Sequence, residues 1–215
     1  MNYFAHGRRF SDQPYFLAGT ATPDWLSVID RKMRARAKRA SAFVNDADER
    51  FAALARGIRQ HHADDDWFHQ TRAFTELSLA FTVQIRDLLS PDDGFRTSFL
   101  GHILVELLLD ATLVEDDPAS LDRYYAALTQ VDAEVVQSGI NAIATKTTDR
   151  ITALLPRFLA DRFLYDYLED AKLLTRLGHV MRRVGLPPLP AELAALFPTM
   201  RTLVRQRQQY LLGGR

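Results

Sequence analysis

Apolar residues recur at three- and four-residue spacing along most of this chain, the period of a helix with one buried face. The pattern runs over residues 95 to 114, 121 to 145, 151 to 183 and 191 to 212, and the strict alternation of a half-buried strand is short and scarce. The period predicts an all-α fold, organised as a single compact multi-helix domain over 1–215. Candidate chemistry falls in about 1–115, followed by a C-terminal helical half over about 116–215. Four breaks punctuate the pattern: Ala21 to Asp24, Ser90 to Gly94, Glu115 to Pro118, and Gly185 to Pro190. Each reads as a turn between packed helices. Ser90 or the pair Asp92 and Asp93 suits a cap for the helix that follows, and Asp117 with Pro118 supplies a cap residue and a first-turn proline.

Composition narrows the function classes. A chain of 215 residues, 47% hydrophobic, is long enough to bury a substantial core. Lys+Arg and Asp+Glu both number 27, so no overall field recruits nucleic acid or an anionic membrane, and any anion site must be local. The absence of cysteine excludes disulfides, thiolate metal sites and thiol nucleophiles. The start MNYFAHGRRF has no long apolar segment, and no run is expected to span a membrane, so a soluble, cytoplasmic protein is expected.

Two polar stripes break the apolar pattern. In GHILVELLLDA, residues 101 to 111, His102, Glu106 and Asp110 fall at i, i+4 and i+8 with only apolar residues between them. In GIRQHHADDDWFH, residues 57 to 69, His61, Asp65 and His69 repeat that spacing, and His62 and Asp66 form a second pair one residue along. Four residues of helix rise about 6 Å with little rotation, so an i, i+4 pair can chelate one ion. Eight residues separate the ends by about 12 Å, so the third group must serve a second ion, the substrate or the surrounding shell. His6 and Asp24 add further candidates from other segments, and imidazole with carboxylate suits zinc, iron(II) or manganese. Either stripe alone also fits a solvated helix face. Together, and without a Lys, Arg, Gln or Ser in residues 99 to 114, they favour a site. His62 and Asp66 read as bystanders, Asp64 as solvated, and His179 as a hydrogen-bonded helix residue without a carboxylate partner at helical spacing.

The segments MNYFAH, GTATPDWL, GIRQHHADDDWFH and FLGHILVELLLDATL, in that order, resemble the acyl-carrier-protein phosphodiesterase family over about the first half of the chain. The resemblance implies an HD-like helical scaffold that uses divalent metal to hydrolyse phosphodiesters. It places His6, Asp24, His61 and Asp65 at the family's polar positions and Trp67 at its aromatic. It departs where His62 replaces an arginine, Asp64 an apolar residue and His69 an aspartate. It departs again where His102, Glu106 and Asp110 stand for a tight Asp-His pair. The implied partner is a small phosphorylated substrate or a phosphopantetheinylated carrier protein.

The ligand pool expected for one or two divalent ions (Zn, Mn or Fe) is therefore His6, Asp24, His61, Asp65, His69, His102 and Asp110. Glu106 serves as ligand or general base, and Asp65 is a second candidate for relaying protons. The run IDRKMRARAKRA, residues 29 to 40, offers cations for a phosphate, or else a solvated face paired with Asp46, Asp48 and Glu49. The competing reading is a non-catalytic helical protein with a structural metal, or one that docks a partner through the aromatics Phe158, Phe163, Tyr165, Tyr167, Phe197 and Tyr210.

Overall fold

The computed structural model describes residues 1–89 and 94–213. Among them the chain is all-α, with no strand. The helices are α1 (Tyr3–Gly7), α2 (Pro14–Ile29), α3 (Ala37–Ala40), α4 (Glu49–Gln70), α5 (Arg72–Leu88), α6 (Thr97–Asp116), α7 (Pro118–Leu128), α8 (Ala133–Ile143), α9 (Ile151–Asp161), α10 (Asp170–Val184) and α11 (Phe197–Leu212). Short 3-10 turns cover Ser41–Phe43, Phe163–Leu168 and Ala191–Leu196. The chain divides into two compact units, one of Met1–Asp66 with Asp117–Arg162, the other of Trp67–Asp116 with Phe163–Arg215.

The first unit is organised by glycines that let helices touch. A Cβ on Gly19 of α2 would lie 2.2 Å from the Leu54 carbonyl oxygen of α4, and one on Gly57 would lie 2.0 Å from that of Phe16. Only hydrogen fits at either position, so the backbones of α2 and α4 meet there. Around this crossing Leu17, Trp25, Leu26, Leu54 and Ile58 are fully buried. Helix α1 is short and is held by its side chains: Phe4 meets Tyr124 edge-on at 5.8 Å and Tyr3 packs on Phe158 at 5.2 Å. A Cβ on Gly7 would strike Leu17 and Tyr124, so α1 is pressed between α2 and α7.

In the second unit α5 and α6 form the central pair. A Cβ on Gly101 would lie 2.7 Å from the Ser78 carbonyl, which brings the start of α6 against α5. Leu77, Phe81 and Ile85 of α5, Leu100, Leu104 and Leu108 of α6, and Met200 and Val204 of α11 are buried. Arg205 of α11 bonds Glu115 and Asp116 at the end of α6. Helix α6 has the length and apolarity of a membrane span, contrary to the expectation that no run would reach it, but 72% of its most apolar window is buried within the chain.

Several predicted boundaries shift. The break expected at Ala21 to Asp24 lies inside α2, which continues through Pro23. An interior proline costs about 3 kcal/mol, and burial of Leu17, Ala18, Ala21, Trp25 and Leu26 on the same helix offsets it. The run 121 to 145 is two helices, because Asp132 caps a new start at α8. The run 151 to 183 is broken at Arg162, which takes the left-handed conformation at φ 43° after α9. The break at Glu115 to Pro118 is as expected, with Asp117 accepting from the Ser120 amide at the start of α7. That at Gly185 opens with a left-handed glycine at φ 73°. The expected caps Ser90, Asp92 and Asp93 lie outside the described residues.

Candidate metal centre

Within the first unit His6, His61 and Asp65 place one ligand atom each within 4.8 Å of one another. His61 and Asp65 are one turn apart on α4, and His6 reaches them from α1. The imidazoles of His6 and His61 stack with centroids 4.0 Å apart and planes at 26°. His61 Nδ1 donates to the Thr20 carbonyl at 2.8 Å. That bond follows from the glycine crossing, since His61 stands one turn beyond Gly57 and Thr20 next to Gly19. His6 Nδ1 faces Asp64 Oδ2 at 3.5 Å, and Gln60 Nε2 donates to the other Asp64 oxygen at 2.8 Å. Asp64 is buried at 6% exposure, which corrects the expectation that it is solvated.

With both Nδ1 atoms turned toward acceptors, both Nε2 atoms face Asp65: His6 Nε2 is 3.2 Å from Oδ1 and His61 Nε2 is 3.3 Å from Oδ2. His6 Nε2 is buried. An imidazole held as the Nδ1–H tautomer presents a lone pair at Nε2 that calls for a cation between it and the carboxylate; without one, the ring must carry a proton at Nε2 toward Asp65. Protonating both rings instead would stack two positive charges 4.0 Å apart. The Met1 ammonium donates to Asp65 Oδ1 at 2.6 Å, so Asp65 already gathers positive charge. Burial alone would raise the Asp65 carboxyl, but His6, His61 and that ammonium hold it far below the usual carboxylate range.

Within the second unit His69, His102 and Glu106 form a like group. His69, in the last turn of α4, donates from Nε2 to Glu106 Oε1 at 2.9 Å. His102 Nε2, one turn before Glu106 on α6, is 3.2 Å from the same oxygen. The two rings lie 4.8 Å apart, and Phe74 packs at 4.8 Å on each. Thr71 positions Phe74 by capping α5, its Oγ1 accepting from the Phe74 amide. The His69 and His102 side chains are 34% and 40% exposed, against 12% for Glu106. Burial would raise the Glu106 carboxyl, but nearby positive charge, followed by the hydrogen bonds from His102 and His69, holds it well below its ordinary value.

The other sequence candidates stand outside both groups. Asp24 is half-buried on α2, and Asp110 is fully buried on α6. His62 donates from Nε2 to the Ala35 carbonyl at 2.7 Å, and Asp66 and His179 are exposed. The cations Arg31, Lys32, Arg34, Arg36, Lys38 and Arg39 are exposed around buried Met33 and Ala35. Their expected partners Asp48 and Glu49 pair with Arg50 and Arg56 instead. Among the C-terminal aromatics Phe158, Tyr167 and Phe197 are buried, and Tyr210 is 67% exposed. Sequence spacing pointed to the pairs His61–Asp65 and His102–Glu106 but set His69 with the first pair, and it missed Thr20 and Asp64: a backbone carbonyl carries no residue signature, and Asp64 looked like one acid among three. No protein-family model, curated protein or solved structure matches this chain.

Proposed function

We propose that the chain is a metal-dependent hydrolase of phosphodiesters or phosphomonoesters, with His6, His61 and Asp65 as the protein ligands of a divalent ion, Zn, Mn or Fe(II). The carrying observation is the pair of imidazoles whose Nδ1 atoms are engaged and whose Nε2 atoms converge on one carboxylate, a donor set that suits a divalent ion. Three of the four positions at which the sequence resembles the carrier-protein phosphodiesterases, drawn from two segments of the chain, fall in this one group.

A divalent ion held there supplies Lewis acidity toward a phosphoryl oxygen and an activated water. The protein's own part is positional. Thr20 and Asp64 fix the two rings, and Asp65, whose side chain is 29% exposed, gives the group its opening to solvent. Three protein ligands leave a coordination position for water, as catalytic sites do. The competing reading, a structural ion, draws on the near-complete burial of the His6 and His61 side chains, at 0% and 5% exposure.

A screen of phosphomonoesters and phosphodiesters, including a phosphopantetheinylated carrier protein, separates the two. The hydrolase reading expects turnover with Mn²⁺ or Zn²⁺ that chelator abolishes and His61→Ala lacks. A protein that holds metal through His61 yet turns over none of these esters carries a structural ion.

A further inference from the structure

We infer that His69, His102 and Glu106 form a second divalent-metal site, solvent-accessible and with its own set of ligands. The two groups share no ligand. Each offers two imidazoles and one carboxylate, the donor set that suits zinc, cobalt(II) and neighbouring first-row ions.

Three observations carry the inference. Both Nε2 atoms, from different helices, converge on the single oxygen Glu106 Oε1, at 2.9 and 3.2 Å. The two rings are also held in place from the side, because Phe74 packs against each of them and is itself fixed by the Thr71 cap. An ordinary surface histidine is not braced in this way, and bracing lowers the entropy lost on coordination. Finally, both histidines are more than a third exposed while the carboxylate is nearly covered, so an ion enters from the solvent side with its remaining positions hydrated. The buried His6 and His61 site offers no such approach to its imidazoles. The second site therefore exchanges its ion faster and yields it first to a chelator.

The inference does not require hydrolase activity, and its test keeps the two readings apart. Chelator-stripped full-length protein is titrated with Zn²⁺ and, for its visible absorption, with Co²⁺. Circular dichroism confirms that each variant is folded. Wild type is expected to bind two equivalents. His102→Ala and, independently, Glu106→Gln should each remove one equivalent, the faster-exchanging one, and leave the other unchanged. His61→Ala should remove the slower one. A His102→Ala protein that still binds as much metal as wild type overturns the second site and leaves the first standing. A His61→Ala protein with undiminished stoichiometry overturns the first while leaving the second. Wild type that binds no Zn²⁺ or Co²⁺ overturns both.

Discussion

Asp65 and Asp64 are neighbours in sequence with opposite assignments, and the difference is one of direction. Asp65 faces the Nε2 atoms, as a ligand of the proposed ion would; Asp64 faces the Nδ1 atom of His6 and orients that ring. Asp65→Asn is accordingly expected to abolish binding at the first site, whereas Asp64→Asn should weaken it by about 10- to 100-fold, the usual effect of losing an orienting partner. Isothermal titration with Zn²⁺ checks both, and equal losses would erase the distinction. The acid response of the metal-free protein follows from the lowered Asp65 carboxyl. A carboxyl whose folded pKa is depressed contributes stability above its unfolded value, and that contribution is lost as pH falls toward the folded one. The Asp65 contribution is thus intact at neutral pH and disappears only below about pH 4. Urea midpoints measured from pH 7 to pH 2 should fall below pH 4 in wild type and more weakly in Asp65→Asn. Metal binding has a separate dependence, weakening as pH falls because imidazole must be neutral to ligate. The residue types of the proposed ligands were legible in the sequence as His and Asp at i, i+4. Their orientation was not, because it rests on a carbonyl oxygen of another helix.

Helix α4 supplies His61, Asp65 and His69, but what aims the first two is the crossing of α4 with α2 at Gly57 and Gly19. An added methyl would enter the backbone of the facing helix, so the helices must part. Gly57→Ala is expected to destabilise the chain by about 1 to 3 kcal/mol. It should also weaken Zn²⁺ binding at the first site, since His61 would lose its reach to Thr20. Chemical denaturation and metal titration on the same variant read these two effects; normal stability with normal binding would show that the crossing does not position the site. Asp117→Ala, which removes the cap of α7, should cost about 1 kcal/mol without touching metal binding. Helix identity was legible from the apolar period, and the caps at Asp117 and Gly185 from local chemistry. The continuation of α2 through Pro23 was not, because the burial that offsets the proline comes from long-range packing. The division of 121 to 145 was also missed, since α7 and α8 keep a similar apolar period on either side of Thr129 to Asp132.

At the scale of the molecule, the contacts divide the chain into two units, each of which contains one group of two histidines and a carboxylate. The sequence placed all seven expected ligands in one pool. The helix rise hinted at a partition, because His69 lies about 12 Å along the axis from His61. Asp24 and Asp110 joined neither group, and spacing alone could not reveal that, since their positions depend on which face of each helix the fold buries. Ligand linkage makes the metal measurable as stability: at a free concentration one hundred times its Kd, an ion adds about 2.7 kcal/mol to the state that binds it. Zn²⁺ should therefore raise the thermal midpoint by several degrees, and His6→Ala should reduce that gain.

The most direct measurement is elemental analysis of the full chain purified without chelator, alongside His61→Ala, Asp65→Ala and His179→Ala. The account predicts at least one divalent transition metal per wild-type chain. It predicts a marked loss in the first two variants, and wild-type content in His179→Ala, whose exposed ring belongs to neither group. A wild-type protein that carries no such metal, and takes up none when Zn²⁺, Mn²⁺ or Fe²⁺ is supplied, would contradict it.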